Sequence, residues 1–351
     1  MNDRRALSNP AAPNCTDAAL PDTPALRSDR LYRLRKFGYL WKVAAQALRN
    51  GVPLRDYARM ATPLFLRGTS RLPHALYLEF SNVCNTVCEY CPYPAYAKTL
   101  PFMRRDVFTR ILDALSEVPV NKIHVGGGEP TLHPHFSAWL PELRGSARFV
   151  NVVSNGQWSD DAIAETLMSG AADMVEISVD AGGKYAYEAA RSGASHDRLM
   201  RNLSRLRQIK RSRASQTIIG IRLMIRPSTR SREREHLRAW SPHCDVIFAQ
   251  YVSKPAGSRN DADMYVSSHE LHATYPRCSS PSRALQIKAD GTVPLCGING
   301  HSPQDAAIIL GNILDSRIHA LWNDPRLAQY REAHRTRSEA LMPACRGCAG
   351  A

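Results

Sequence analysis

Three cysteines stand close together in the run Cys84-Asn85-Thr86-Val87-Cys88-Glu89-Tyr90-Cys91, directly after an alternating apolar segment that reads as a strand. Three thiolates can hold three irons of a cubane four-iron four-sulfur cluster and leave the fourth iron without a protein ligand. An open iron is a place where a small molecule can be chelated and reduced. Zinc is the alternative metal, but a structural zinc takes four ligands, usually as two CxxC-type pairs. This trio has no fourth Cys or His nearby.

A second group lies at the other end of the chain: Cys278, Cys296, Cys345 and Cys348, with Gly291 five residues before Cys296. Four thiolates close a cluster completely, so this group should transfer electrons or position substrate rather than offer a vacant iron. A four-cysteine set ending in CxxC also suits tetrahedral zinc, and nothing in the spacing excludes it. Of the nine cysteines only Cys15 and Cys244 fall outside the two groups. Such usage speaks against a disulfide framework and for a reducing compartment, so the protein is expected to be cytoplasmic.

The first trio has the form CxxxCxΦC, with aromatic Tyr90 before the third cysteine, and resembles the radical S-adenosylmethionine (radical SAM) enzymes. In that family the open iron chelates the amino and carboxylate groups of SAM, and one-electron reduction cleaves SAM to a 5'-deoxyadenosyl radical. Further motifs follow in family order. Gly127-Gly128-Glu129-Pro130 resembles the element that receives the methionyl amine of SAM. Ser154-Asn155-Gly156 resembles the ribose-side segment, Glu176 to Asp180 the strand after it, and Arg191-Ser192-Gly193 the step that follows. The resemblance therefore implies a SAM site on Tyr90, Gly127, Gly128, Glu129, Ser154, Asn155, Ser178, Asp180 and Arg191. Taken singly, glycines after a strand make turns, and Ser178 or Asp180 can close a strand or cap a helix. Their order behind the cysteine trio gives them weight.

The C-terminal group, with Gly311-Asn312-Ile313 and Trp322 between its halves, resembles the auxiliary-cluster extension called SPASM, or its shortened form called twitch. The full pattern fills two clusters and needs more cysteines, so one auxiliary four-iron cluster is the expected count.

Strand-like runs occur near 76–80, 122–126, 149–154, 174–179, 218–225 and 245–251, with helical patterns between most of them. In one helical run Leu199, Leu203, Leu206 and Ile209 recur at three- and four-residue steps. The expected fold is α/β, a partial (β/α)6 parallel barrel open at one side. Ligands in parallel α/β folds gather at the carboxyl ends of strands, and the trio, the Gly127-Gly128-Glu129 run, Ser154 and Asp180 all fall at such ends.

The expected organisation is a disordered tail over 1–28, a basic helical extension over 29–75, the barrel over 76–255 and the auxiliary-cluster module over 256–351. The extension sets Leu31, Leu34, Leu40, Val43 and Leu48 among basic residues such as Arg33, Lys36 and Arg49. It can rest on an anionic membrane, a phosphorylated partner or the barrel itself, and packing on its own domain is the expected outcome. It is too short to resemble the winged-helix leader-binding domain of many peptide-modifying relatives. No apolar run reaches the length of a membrane span.

A formal charge of +14 is compatible with an anionic substrate, yet the basic residues are scattered and accompany no stacking module or helix-turn-helix pattern. No nucleic-acid partner is expected; a small molecule and an electron donor such as flavodoxin or ferredoxin are. The main reading is a radical SAM oxidoreductase or epimerase acting on a sugar, cyclitol or similar polar metabolite, with Cys244 as candidate hydrogen donor if the product is an epimer. The alternative is a maturase of a ribosomally made peptide. A non-enzymatic reading is a zinc-stabilised binding protein.

Overall fold

A computed structural model describes residues 41, 43–61, 72–91, 100–117, 120–180, 183–252, 278–297, 308–336 and 345. The expected tail over 1–28 lies outside them. Six strands follow one another in the main body: β1 (Ala75–Ser81), β3 (Val120–Gly127), β4 (Ala147–Ser154), β5 (Met174–Asp180), β7 (Ile218–Ile225) and β8 (Val246–Tyr251). Every pairing among them is parallel and each lies beside its neighbour in this series. A seventh strand, β9 (Ala284–Ile287), adds in parallel on the outer side of β1. The order β8-β7-β5-β4-β3-β1-β9 leaves β8 and β9 as edges, so the sheet is an open partial barrel. Two short pairs complete the strands: β2 (Val87–Cys88) with β6 (Arg191–Ser192), and β10 (Thr292–Pro294) with β11 (Ile309–Asn312).

Helices between the strands cover the convex face. Among them are α3 (Arg105–Glu117), α4 (Phe136–Glu142), α5 (Asp161–Met168), α7 (His196–Ser212) and α8 (Glu233–Trp240). Leu76, Leu78 and Phe80 of β1 pack with Val107, Phe108 and Ile111 of α3, and Leu199, Leu203, Leu206 and Ile209 of α7 join the same core. Ser195 caps α7 by accepting from the Arg198 amide at 3.2 Å, which starts this helix where the apolar spacing starts.

Residues 43–49 form a helix, α1, and Leu54–Ala61 form α2. Val43, Ala47, Val52 and Met60 pack against Phe149, Met174, Ile218 and Val246, which lie at or near the beginnings of β4, β5, β7 and β8. Asn50 Nδ2 donates to the carbonyls of Cys244 and Asp245 at 3.1 and 3.0 Å. Residues 43–61 of the basic extension thus cover the amino ends of these strands with Val43, Ala47, Val52 and Met60. Among the described residues no helix is long and apolar enough to cross a membrane.

Strands buried on both faces read as unbroken apolar runs, but these alternate, and the polar positions fall on the concave face. Tyr77 of β1 lies against His124 of β3 at 4.7 Å between ring centroids. Asn151 of β4 reaches His124 on one side and Glu176 of β5 on the other, at 3.2 and 3.0 Å. Glu176 is ion-paired with Arg222 of β7, which also donates to Gln250 of β8. This polar band crosses six strands and remains partly open to solvent, with Tyr77 42% exposed.

Candidate active site

The loop that carries the cysteine trio is tied to the carboxyl ends of four barrel strands. Gly128 and Glu129, following β3, donate their amides to the carbonyls of Ser81 and Val83 at 2.7 and 2.8 Å. This approach needs glycine: a Cβ on Gly128 would stand 2.2 Å from the Val83 oxygen, and one on Gly127, at φ +114°, 2.4 Å from the Ser81 oxygen. The glycines therefore do more than turn the chain. They bring β3 against the segment leading into Cys84.

Glu129 is buried and knots β3 to β4. One carboxylate oxygen accepts from the Thr131 hydroxyl at 2.7 Å, the Thr131 amide at 3.2 Å and the Ser154 hydroxyl at 2.8 Å. The other accepts from the Asn155 amide at 2.7 Å. Burial raises its pKa, and these donors oppose the rise. Asn155 continues the chain of contacts, donating to Asn85 Oδ1 at 2.7 Å and reaching Cys84 Sγ at 3.6 Å.

At the end of β5, Asp180 is fully buried and paired with Arg191. Tyr90 closes the triangle: its hydroxyl donates to Asp180 at 3.1 Å and accepts from Arg191 Nη2 at 2.7 Å. The other carboxylate oxygen of Asp180 is buried without a hydrogen-bond partner. Desolvation works against the Arg191 charge, but Tyr90, Asp180 and Cys88 around it hold its pKa above the ordinary arginine value. The loop is also paired through its backbone, Cys88 opposite Arg191 and Val87 opposite Ser192. Gly193, at φ +86°, lets the chain pass Asn85, whose carbonyl would lie 2.9 Å from a Cβ there. Arg226, just beyond β7, donates to Glu89 at 2.9 Å.

Cys84, Cys88 and Cys91 are all half-buried. The Thr86 hydroxyl lies 3.3 Å from Cys84 Sγ and 3.9 Å from Cys88 Sγ, and the Cys91 amide donates to the Cys88 carbonyl at 3.1 Å. Among the described residues no three His, Cys, Asp or Glu side chains are arranged to share one metal ion. A cubane does not ask for that, since each iron takes its own thiolate. The soft donor set, its partial exposure and the unpartnered Asp180 oxygen fit an iron–sulfur cluster with a polar ligand beside it.

The site residues expected from sequence separate into groups. Tyr90, Gly127, Gly128, Glu129, Ser154, Asn155, Asp180 and Arg191 surround the cysteine loop. Ser178 is half-buried on the concave face, opposite Arg222 in register, and makes no side-chain hydrogen bond among the described residues. Cys244 is not brought to this end of the barrel. It lies two residues before β8, at the amino end, with its buried thiol facing the Trp240 and Ser241 carbonyls at 3.7 and 3.9 Å. Burial pushes that thiol up to about 12, with Asp245 adding to the rise. Sequence reasoning missed Asn85, Thr86 and Arg226. The first two are small hydrogen-bonding residues inside the cysteine run, which was the available signal; Arg226 carried none.

In the C-terminal part, Gly291 at φ +85° leaves room for Asn312, whose Oδ1 would stand 2.5 Å from a Cβ there. Asn312 Nδ2 donates to the Asp290 carbonyl at 3.0 Å, and Trp322 is buried under Arg331. Cys278 and Cys296 are half-buried, and Cys345 Sγ lies 3.6 Å from His334 Nε2. Cys348 lies outside the described residues.

The family model described as the radical SAM superfamily matches residues 78–225, and that of the SPASM iron-sulfur cluster-binding domain matches 278–349. The chain is 34% identical over 107 residues to the tungsten-containing aldehyde ferredoxin oxidoreductase cofactor-modifying protein of Pyrococcus furiosus, which covers 30% of each chain. It is 24% identical over 234 residues to a PqqA peptide cyclase of Xanthomonas campestris, covering 63% of this chain and 59% of that one. The chain thus spans less than two thirds of these relatives. The solved structure of native anSMEcpe with bound AdoMet and the Cp18Cys peptide superposes with a TM-score of 0.57 at 16% identity, over 79% of this chain and 88% of that chain. With these domains come four-iron four-sulfur clusters and SAM as cofactors. Residues 78–225 form a radical SAM superfamily domain, and residues 278–349 form a SPASM iron-sulfur cluster-binding domain.

Proposed function

We propose that this enzyme modifies a peptide. The observation that carries the reading is the likeness to a PqqA peptide cyclase, which extends over 63% of the chain. The SPASM domain and a fold shared with a peptide-bound enzyme support it. Among the described residues β8 and β9 are the sheet edges, and Tyr77 on the concave face is exposed, which suits an extended substrate. A sugar or cyclitol, the substrate expected from sequence, is the less supported reading.

Cys84, Cys88 and Cys91 would hold the SAM-binding cluster, and Cys278, Cys296, Cys345 and Cys348 the auxiliary one. When bound, the first cluster and SAM supply a one-electron reductive cleavage whose radical product removes a hydrogen atom from carbon. The chain's own residues orient and enclose this chemistry. Glu129, Ser154 and Asn155 fix the β3 and β4 ends around the cysteine loop, while Asp180, Arg191 and Tyr90 brace its other side. An electron donor such as flavodoxin or ferredoxin is required, and a reducing cytoplasm suits the thiolates.

The test is anaerobic reconstitution with SAM, a reductant and short peptides encoded beside the gene. A peptide that loses hydrogen, with its deuterium recovered in 5'-deoxyadenosine, is the expected result. Unchanged peptides alongside an oxidised sugar or cyclitol would overturn it.

A further inference from the structure

The concave face carries donors that the fold does not use. Lys122 and His124 lie two apart on β3 and so point to the same face. Both are half-buried. The Lys122 ammonium lies 5.7 Å from the Phe149 ring centroid and makes no hydrogen bond or ion pair among the described residues. Its pKa is pushed down to about 8, chiefly by burial, with Glu176 opposing the fall and Arg222 and Arg283 adding to it.

His124 presents a second free donor, and its tautomer follows from its neighbours. Asn151 Nδ2 lies 3.0 Å from Glu176 Oε2, and a carboxylate paired with Arg222 can only accept, so the amide nitrogen is correctly placed there. The same nitrogen lies 3.2 Å from His124 Nδ1, which must then be the acceptor. The ring proton therefore sits on Nε2. A Cβ on Gly126 would lie 3.8 Å from that Nε2, so the donor edge of the ring leans along β3 toward the cysteine end, over a residue with no side chain. Burial lowers the ring to about 3, and the imidazole is neutral.

Three other charged residues of this face have partners of their own. Glu176 serves Arg222 and Asn151, Arg222 serves Glu176 and Gln250, and Glu79 accepts from the Ala289 amide. What remains among the described residues is an ammonium and an N–H side by side, with the buried Asn151 Oδ1 hydrogen-bonded to neither. A carboxylate is acceptor-only and carries a single negative charge, which suits such a pair. A phosphate carries more charge and more acceptor oxygens than one ammonium and one neutral N–H can match.

We infer that Lys122 and His124 form a substrate subsite on the floor of the barrel that takes a carboxylate. At about 3.3 Å per residue the two lie roughly 10 to 17 Å below Gly127, so an acidic group held here leaves the rest of its residue nearer the cysteine loop. The inference deepens the peptide reading and rests on it for its substrate: the segment that enters the barrel carries an acidic side chain or a terminal carboxylate.

The test reads binding and needs no turnover, so it can fail or succeed independently of peptide modification. The reconstituted full chain is acetylated with a lysine-reactive ester, and the rate at Lys122 is followed by peptide mass spectrometry, with Lys184 as internal control. The probes are acetyl-glutamate methylamide, its neutral glutamine counterpart, acetyl-alanine and inorganic phosphate. Either carboxylate should slow Lys122 acetylation about fivefold at four times its dissociation constant, and which one acts at lower concentration identifies the source. The glutamine counterpart should leave the rate within about twofold, since it lacks the charge. His124→Phe should weaken the carboxylate's protection about tenfold or more, the value of one hydrogen bond to a charged group. Absence of protection by both carboxylates, equal protection by the glutamine probe, or protection by phosphate alone would overturn the assignment.

Discussion

Cys88 and Arg191 stand opposite each other in a two-residue antiparallel ladder, so a buried guanidinium lies beside one of the three clustered thiols. Burial pushes the Cys88 thiol up, and the Arg191 charge pulls it back down. The ladder joins the cysteine loop to the Asp180–Arg191 pair, which leaves the loop dependent on a buried ion pair for its shape.

Breaking that pair from one side should be costly. Arg191→Met strands the fully buried Asp180 carboxylate, and the expected loss is about 3 to 5 kcal/mol in urea unfolding. Adding Asp180→Asn removes the stranded charge and should restore most of it. A single variant that unfolds within about 0.5 kcal/mol of wild type would show the pair to be dispensable.

Gly128→Ala tests the close approach of β3 to the loop. The new Cβ would meet backbone rather than a flexible side chain, at 2.2 Å from the Val83 carbonyl. A destabilisation of about 1 to 3 kcal/mol is expected, together with reduced iron uptake by the N-terminal site. Gly183→Ala is the control, since its Cβ meets nothing within 4 Å and its φ of −84° suits alanine. Equal iron content in both variants would contradict the argument.

Much of this was legible in the sequence because it is local. The strand run read at 218–225 coincides with β7, and the cysteine spacing, the glycine run and the Ser154 and Asp180 strand ends are each written in a few adjacent residues. The run read at 122–126 falls short of Val120–Gly127 because Asn121 and Lys122 break its apolar pattern, Lys122 by facing the barrel interior. β9 is only four residues long and its partner β1 lies about 200 residues earlier, so no local pattern announces it. The same holds for the extension: of the apolar residues read there Val43 packs on the strands while Leu48 is exposed, Leu31, Leu34 and Leu40 lie outside the described residues, and Ala47, Val52 and Met60 are not part of the stripe read in sequence. Arg226 reaches Glu89 across 137 residues, a contact that only the barrel creates.

Lys122 makes stability depend on pH in a definite direction. Its folded pKa, about 8, lies below the ordinary lysine value of 10.5, so between these values the unfolded chain holds more protons and stability rises with pH. Below about 8 the folded protein carries the half-buried ammonium at a cost. Lys122→Met should therefore be more stable than wild type at neutral pH, with the advantage shrinking from about pH 8 to 10.5. Stability curves that stay parallel across this window would assign the residue an ordinary solvated charge.

Cys244→Ala should leave chemistry untouched. The thiol is buried near the amino end of β8, away from the strand ends that hold the loop. A loss of about 1 kcal/mol from the small cavity is expected, with product identity and stereochemistry unchanged. An altered product from this variant would restore the thiol as a hydrogen donor and require a different active-site geometry.

The two cysteine groups should separate in function. Replacing Cys84, Cys88 and Cys91 with Ala removes the proposed ligands of the vacant-iron site, so reductive cleavage of SAM should vanish while iron bound at the C-terminal group persists. About eight irons per chain are expected in wild type and about four in this variant. Replacing Cys345 and Cys348 should have the opposite effect, sparing SAM cleavage uncoupled from product while product formation stops. Cys345 also packs against the core, so its loss should lower the unfolding midpoint as well. Formation of 5'-deoxyadenosine by the first variant would place the vacant iron elsewhere in the chain, and full product formation by the second would leave the C-terminal cluster without a catalytic role.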